Sequence, residues 1–327
     1  MRSLIIADGI MDKWPNATIQ FAISQEASYA TECPYFTHIL KDTPTKLVDE
    51  VNALVSDFKP DVVVFDASGR KAQMQHAKTI GAKVVFISQH KRKRARGMKI
   101  GRAKVTDSHW VAQPEFVIGP ISWLDKQKLQ WTKCAEPIVI GSVFTAPDLI
   151  RKNELLTMYG LQNQDYILFN AGSGGHKAAT EFAADVFWTE ANKVAQQTGM
   201  KCVMVFGSNY PYALPTSDSV ITIKSLANQD FISLLEGAKI AVLSGGDTLL
   251  QAISLVKPVV AVAVSKDQPK RIKICVKHNL VVSSQLNENI SEKTMTLLNA
   301  DNLPALPALA PSNGLELALK ELSRLLA

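Results

Sequence analysis

The chain has 327 residues, 46% of them hydrophobic, with 36 Lys and Arg against 30 Asp and Glu. That length exceeds one small core and suits two globular domains of roughly 100 to 200 residues each. No uninterrupted apolar run approaches about 18 residues, which excludes a membrane-spanning helix, and the formal net charge of +6 leans towards anionic partners.

The chain opens MRSLIIADGIMDKWPN. Leu4, Ile5, Ile6, Ile10 and Met11 share much of one helical face, and Trp14-Pro15-Asn16 would end that helix. The rival reading makes Leu4 to Ala7 a short strand with Asp8-Gly9 as its turn. Asp8 and Asp12 interrupt the apolar stretch behind Arg2, so no signal peptide is expected and the chain reads as cytoplasmic. Cys33, Cys134, Cys202 and Cys275 are scattered without a CxxC, so no metal site is expected.

Strand and helix then alternate. Expected strands are 18–23, 37–40, 61–65, 83–87, 109–112 and 137–140, with helices at 45–58 and 70–80. The turn-rich GSVFTAPD (141–148) is a join, after which the pattern restarts with a helix at 149–159. Strands follow at 166–170, 201–206, 219–223, 239–243, 258–264 and 280–282. Alternation of this kind predicts an α/β fold: parallel sheets covered on both faces, in two Rossmann-like domains facing each other across a cleft, 1–145 and 146–327. NLPALPALAP (302–311) reads as a linker, and 313–327 as a final amphipathic helix assigned to the second domain.

Two stretches carry chemistry. In YILFNAGSGGHKAATEF (166–182) a strand ends at Asn170, a bend of Gly172, Ser173, Gly174 and Gly175 follows, and a helix is expected to open near His176. Glycines let backbone approach a ligand, and a helix N-terminus presents unpaired N–H groups suited to phosphate. The plain alternative is a tight turn without a ligand, and the Walker pattern is absent. In KIAVLSGGDTLLQAISLVKPVVAVAVSKDQPKR (239–271) a second strand ends in Ser244, Gly245 and Gly246 at the mouth of a helix. Asp247 lies in that helix's first turn and Gln251 one turn further along. The next strand delivers Asp267 and Gln268 to the same edge, where ligands of open parallel sheets bind.

The spacing Ser244-Gly245-x-x-Thr248-x-x-Gln251, followed by Pro258-Val259 and Asp267-Gln268, resembles the donor half of GT-B glycosyltransferases of the MurG-like kind. The resemblance covers 150–290 and, more loosely, the N-terminal half. It implies a nucleotide-diphosphate sugar as substrate rather than a bound cofactor. The diphosphate would lie against Gly172 to Gly175, His176, and Ser244 to Gly246; Gln251 would face the ribose, Asp267 and Gln268 the sugar, and 225–231 the base. Gln251 departs from the family's usual glutamate, and an amide offers one acceptor oxygen where a carboxylate offers two. The resemblance also implies an N-terminal strand and G-x-G-H-x-x-R loop, of which Arg2 looks like the last member; on that reading the chain starts just after the loop.

An inverting transfer needs a base for the acceptor hydroxyl. Asp66, at a strand end in VVVFDASGR, and His90, ending VVFISQH, are the candidates, with turn or cap residues as the alternative. QHKRKRARGMKIGRAK (89–104) reads as a solvated loop, or as a contact for an anionic acceptor, glycan or lipid-linked, or for membrane headgroups. It lacks interleaved aromatics, and nucleic acid is not expected as a partner.

Overall fold

The computed structural model describes residues 2–27, 30, 33–178, 181–286, 288–299 and 313–327. The chain forms two compact units, Met1–Val143 with Ser312–Ala327, and Phe144–Pro311. The expected linker at 302–311 lies outside the described residues.

The first unit runs α1 (Arg2–Lys13), β1 (Gln20–Ser24), β2 (Phe36–Leu40), α2 (Val48–Phe58), β3 (Val62–Asp66), α3 (Lys71–Thr79), β4 (Lys83–Ser88), α4 (Lys91–Gly97), α5 (Ile100–Ala103), β5 (Ser108–Val111), α6 (Glu115–Ile118), α7 (Trp123–Trp131) and β6 (Ile138–Val139). The opening is helical, as the apolar spacing of 4–11 predicts, and Trp14 N–H still donates to Ile10 O before Pro15 ends the run. Strands β3-β4-β5-β6 form a parallel sheet, while β1 and β2 pair parallel in a separate sheet. Residues alternate between the two faces of β4. Val84 and Phe86 pack with Met74 and Ala77 of α3, while Val85 and Ile87 pack with Trp110, Ile5 and Ile6.

The second unit runs α8 (Leu149–Met158), β7 (Tyr166–Asn170), β8 (Lys177–Ala178), β9 (Glu181–Phe182), α9 (Ala183–Thr198), β10 (Lys201–Val205), β11 (Val220–Ile223), α10 (Asn228–Gly237), β12 (Ile240–Ser244), α11 (Asp247–Ser254), β13 (Val259–Val262), α12 (Gln268–Lys277), β14 (Val282–Ser284) and α13 (Ile290–Leu298). Its sheet is parallel throughout, in the order β11-β10-β7-β12-β13-β14. Every residue of β7 and β12 is buried, which explains why these strands read as unbroken apolar runs. Phe187, Ala191 and Val194 of α9 and Ile290 and Leu297 of α13 cover one face.

Several expectations need correction. The last helix, α14 (Gly314–Leu326), belongs with the first unit: Ala318, Leu322 and Leu325 complete the apolar cluster of Ile5, Ile6 and Trp110. Its entry is pinned by Gly314 N–H donating to Ser142 O at 2.7 Å. The helix expected at 45–58 starts only at Val48, and the last strand shifts from 280–282 to Val282–Ser284. No helix opens at His176; the short antiparallel hairpin β8–β9 intervenes, and α9 begins at Ala183. The basic run at 89–104 is no loop but forms α4 and α5.

Candidate functional site

Strands β7 and β12 are neighbours, with Leu243 in register with Asn170, so their carboxyl ends deliver the two glycine bends side by side. A Cβ placed on Gly172 would stand 3.1 Å from Ser244 Oγ. The two clusters singled out in the sequence therefore form one surface.

The first bend is built by Asn170, which the sequence showed only as the end of a strand. Its buried side chain accepts from Gly172 N–H at 3.1 Å and donates to Gly172 O at 3.2 Å and Val205 O at 2.9 Å. The amide thus replaces a strand partner and fixes the turn. The turn is backed by the end of β10. Gly207 has φ +99, and a Cβ there would lie 2.4 Å from Ser173 O; one on Gly174, at φ +87, would lie 2.6 Å from Phe206 O. Glycine is required at both positions by close approach of backbone to backbone. Asn209 N–H donates to Ser173 O at 2.8 Å, and Lys224 donates to Tyr210 O. Ser173 and Gly175 remain exposed. His176 is half-buried at the start of the hairpin, where its carbonyl accepts from Ala183 N–H at 2.8 Å.

The second bend separates its two glycines by role. Gly245 is buried, its N–H donating to Val262 O at 3.1 Å and to Gln268 Oε1 at 3.1 Å. The Arg271 guanidinium donates to its carbonyl, and a Cβ there would meet Ile272 at 2.8 Å. This corrects the expectation that Gly245 faces a diphosphate. Gln268 Oε1 also accepts from Val264 N–H at 2.8 Å and so braces two strand ends, while its Nε2 lies 4.0 Å from the position a Cβ on Gly246 would take. Gly246 differs: it is the N-cap of α11 and, as glycine, brings no side chain to cap that helix, and the nearest atom to a Cβ there is 3.8 Å away. An uncapped N-terminus presents orphan N–H groups and the positive end of the helix dipole.

Thr248 is half-exposed in the first turn of α11, and Asp247 is exposed beside it. Gln251, one turn on, is buried. Asp267 is the N-cap residue of α12, exposed, and accepts from Ser265 Oγ at 2.7 Å. The bends with Thr248 therefore lie together, and Gln268 and Arg271 brace them from behind. Asn170, Gly207 and Arg271 were missed by sequence reasoning, although the small residues ending each strand were their only available signal.

In the first unit, Asp66 ends β3 with both carboxylate oxygens engaged, one by the Arg2 guanidinium and one by Ser3 Oγ at 2.7 Å. It anchors the start of α1, which corrects its expected role as an open proton acceptor. His90 is the N-cap residue of α4, with Gln89 Nε2 3.4 Å from its ring. Among the described residues, no three His, Cys, Asp or Glu side chains are placed to hold a metal ion. No helix among them is long and apolar enough to cross a membrane.

No protein-family profile and no curated protein sequence matches the chain. Solved structures do. The glycotransferase of kitacinnamycin superposes with a TM-score of 0.64 over 100% of this chain and 95% of its own, at 12% identity. The spinosyn forosaminyltransferase SpnP gives 0.66 over 99% and 95%, at 11% identity. A candidate UDP-N-acetylglucosamine 2-epimerase from Listeria monocytogenes gives 0.57 over 98% and 90%, at 14% identity. The fold is GT-B, with parallel Rossmann-like sheets in both units. The MurG-like branch in particular is not singled out among these neighbours.

Proposed function

We propose that the chain is a glycosyltransferase that binds a nucleotide-diphosphate sugar on its second unit and passes the sugar to an acceptor, glycan or lipid-linked. The observation that carries this reading is the meeting of the 172–175 bend with the uncapped N-terminus of α11 at the ends of adjacent strands. Backbone N–H groups there suit a diphosphate without any side-chain cation, and the helix dipole would stabilise the charge that develops on the leaving group. Inversion without a metal is the mechanism we propose. Its base is not Asp66 in the ion-paired state described.

Calorimetry with uridine diphosphate, then a panel of its sugars, tests the donor half. Saturable binding abolished by substitution at Gly246 is the expected result, and no binding by any nucleotide diphosphate overturns the reading. A second reading, an epimerase or hydrolase on the same fold, is favoured by the likeness to the Listeria protein. Product analysis separates them: sugar on an acceptor, sugar inverted, or sugar released to water.

A further inference from the structure

We propose that α7, with the basic helices α4 and α5, forms a docking surface for an anionic lipid bilayer. The proposal rests on exposure and charge, independently of the donor site.

Helix α7 is built inside out. Leu129 is buried and anchors the helix, in a small cavity it shares with Gly97, Met98 and Ala103 of the basic segment. Leu124 and Trp131, seven residues apart, share the opposite face, and Trp123 stands beside them. These three are 72%, 94% and 70% exposed. A helix serving only its own core would place such residues beside Leu129. Tryptophan is the side chain that partitions into a membrane–water interface, with its ring among headgroups and its N–H still wet.

The charge of the chain is concentrated around this helix. Residues 91–133 hold eleven Lys and Arg against three Asp and Glu, while the rest of the chain holds 25 against 27. The whole positive excess of the protein is therefore in this one segment. Two of its arginines serve the fold: Arg94 donates to Pro120 O at 2.9 Å, and Arg102 donates to Gly69 O at 2.6 Å. The Arg94 contact ties α4 to the loop that leads into α7. Lys91, Arg92, Arg96 and Lys99 are exposed instead. Lys91 lies beside that loop as well, with its ammonium 3.7 Å from the position a Cβ on Gly119 would take.

Cations alone would suit any polyanion, but the apolar trio selects. A leucine beside two outward tryptophans gains by insertion into the acyl boundary, whereas stacking on nucleic-acid bases would use the rings and leave Leu124 idle. Interfacial aromatics and a polybasic segment together supply the two signals that reversible membrane binding requires.

The test mixes the full chain with phosphatidylcholine vesicles, either pure or containing about one third phosphatidylglycerol. Partition is read by sedimentation and by tryptophan emission. Expected are at least about tenfold stronger binding to the anionic vesicles, reversal by high salt, and a blue shift on binding. The triple variant Trp123→Ser, Leu124→Ser, Trp131→Ser should lose about tenfold in partition and all of the blue shift. The charge variant Arg92→Gln, Arg96→Gln, Lys99→Gln should lose the preference for anionic lipid, and it decides the question if the triple variant does not fold. Equal binding to both vesicle types, or unchanged binding by the variants, overturns the proposal. So does a polyuridylate probe that binds more tightly than the vesicles and displaces them.

Discussion

Gly172 and Ser244 approach so closely that a Cβ on the glycine would lie 3.1 Å from the serine Oγ. The contact joins the ends of β7 and β12 and holds the two bends in one surface. Gly172 also has φ +92, in the region that side chains avoid. Gly172→Ala should therefore cost about 1 to 2 kcal/mol in urea unfolding and displace Ser244. Nucleotide affinity should fall with it; an alanine variant of unchanged affinity would separate this bend from the donor site.

Gly246→Asp makes stability and binding move in opposite directions. The residue has φ −81 and room for a side chain, so no backbone strain follows. Aspartate at an uncapped N-terminus stabilises a helix by about 0.5 kcal/mol through capping and the dipole. The same charge would repel a diphosphate bound there and should cost at least about tenfold in affinity. A variant that melts at or above the wild-type temperature but no longer binds nucleotide meets the expectation. One that binds normally places the diphosphate elsewhere.

How far the sequence reveals this site depends on what each glycine is for. Gly174, Gly207 and Gly245 are glycines because neighbouring atoms fill the space a Cβ needs, whereas Gly246 stands open. A string of one-letter codes renders both kinds alike, so Gly245 and Gly246 seemed interchangeable. The strands of the second unit were legible because full burial leaves unbroken apolar runs. The placement of α14 was not: its amphipathic pattern shows that one face needs cover, but not that Ile5 and Ile6 provide it. Similarly, Arg94 and Arg102 look like their solvated neighbours in the run, although both are buried against carbonyls.

Gln268 is expected to matter for stability before it matters for any ligand. Its Oε1 takes the N–H groups of Gly245 and Val264, and the side chain is 5% exposed. Gln268→Leu removes the acceptor: Gly245 N–H keeps Val262 O, but Val264 N–H loses the partner that Oε1 gave it, at a cost on the order of 1 to 3 kcal/mol. Gln268→Glu keeps an acceptor oxygen and should recover part of that loss. Chemical denaturation of the two variants checks the order. If leucine is tolerated as well as glutamate, the brace is not holding the bend.

His109 gives the first unit a pH dependence of defined sign. The ring is buried against Gly97, with Nε2 2.9 Å from Ser88 Oγ. Burial, helped by the nearby Arg94 charge, pushes its pKa down to about 4 from an ordinary value of 6.5. Above about pH 6.5 the imidazole is neutral in both folded and unfolded chains, and its full contribution is present. As the pH falls towards 4 the unfolded chain takes up a proton that the folded chain refuses, so stability drops. The loss from this one group should reach on the order of 2 to 3 kcal/mol by about pH 4.5. Carboxylates titrate in the same range, so the measurement is the difference between wild type and His109→Gln in urea unfolding at about pH 7.5 and 4.5. The variant is expected to lose less stability than wild type over that interval by this amount. Parallel losses in the two proteins would mean that His109 takes up its proton in the folded state as readily as in the unfolded one.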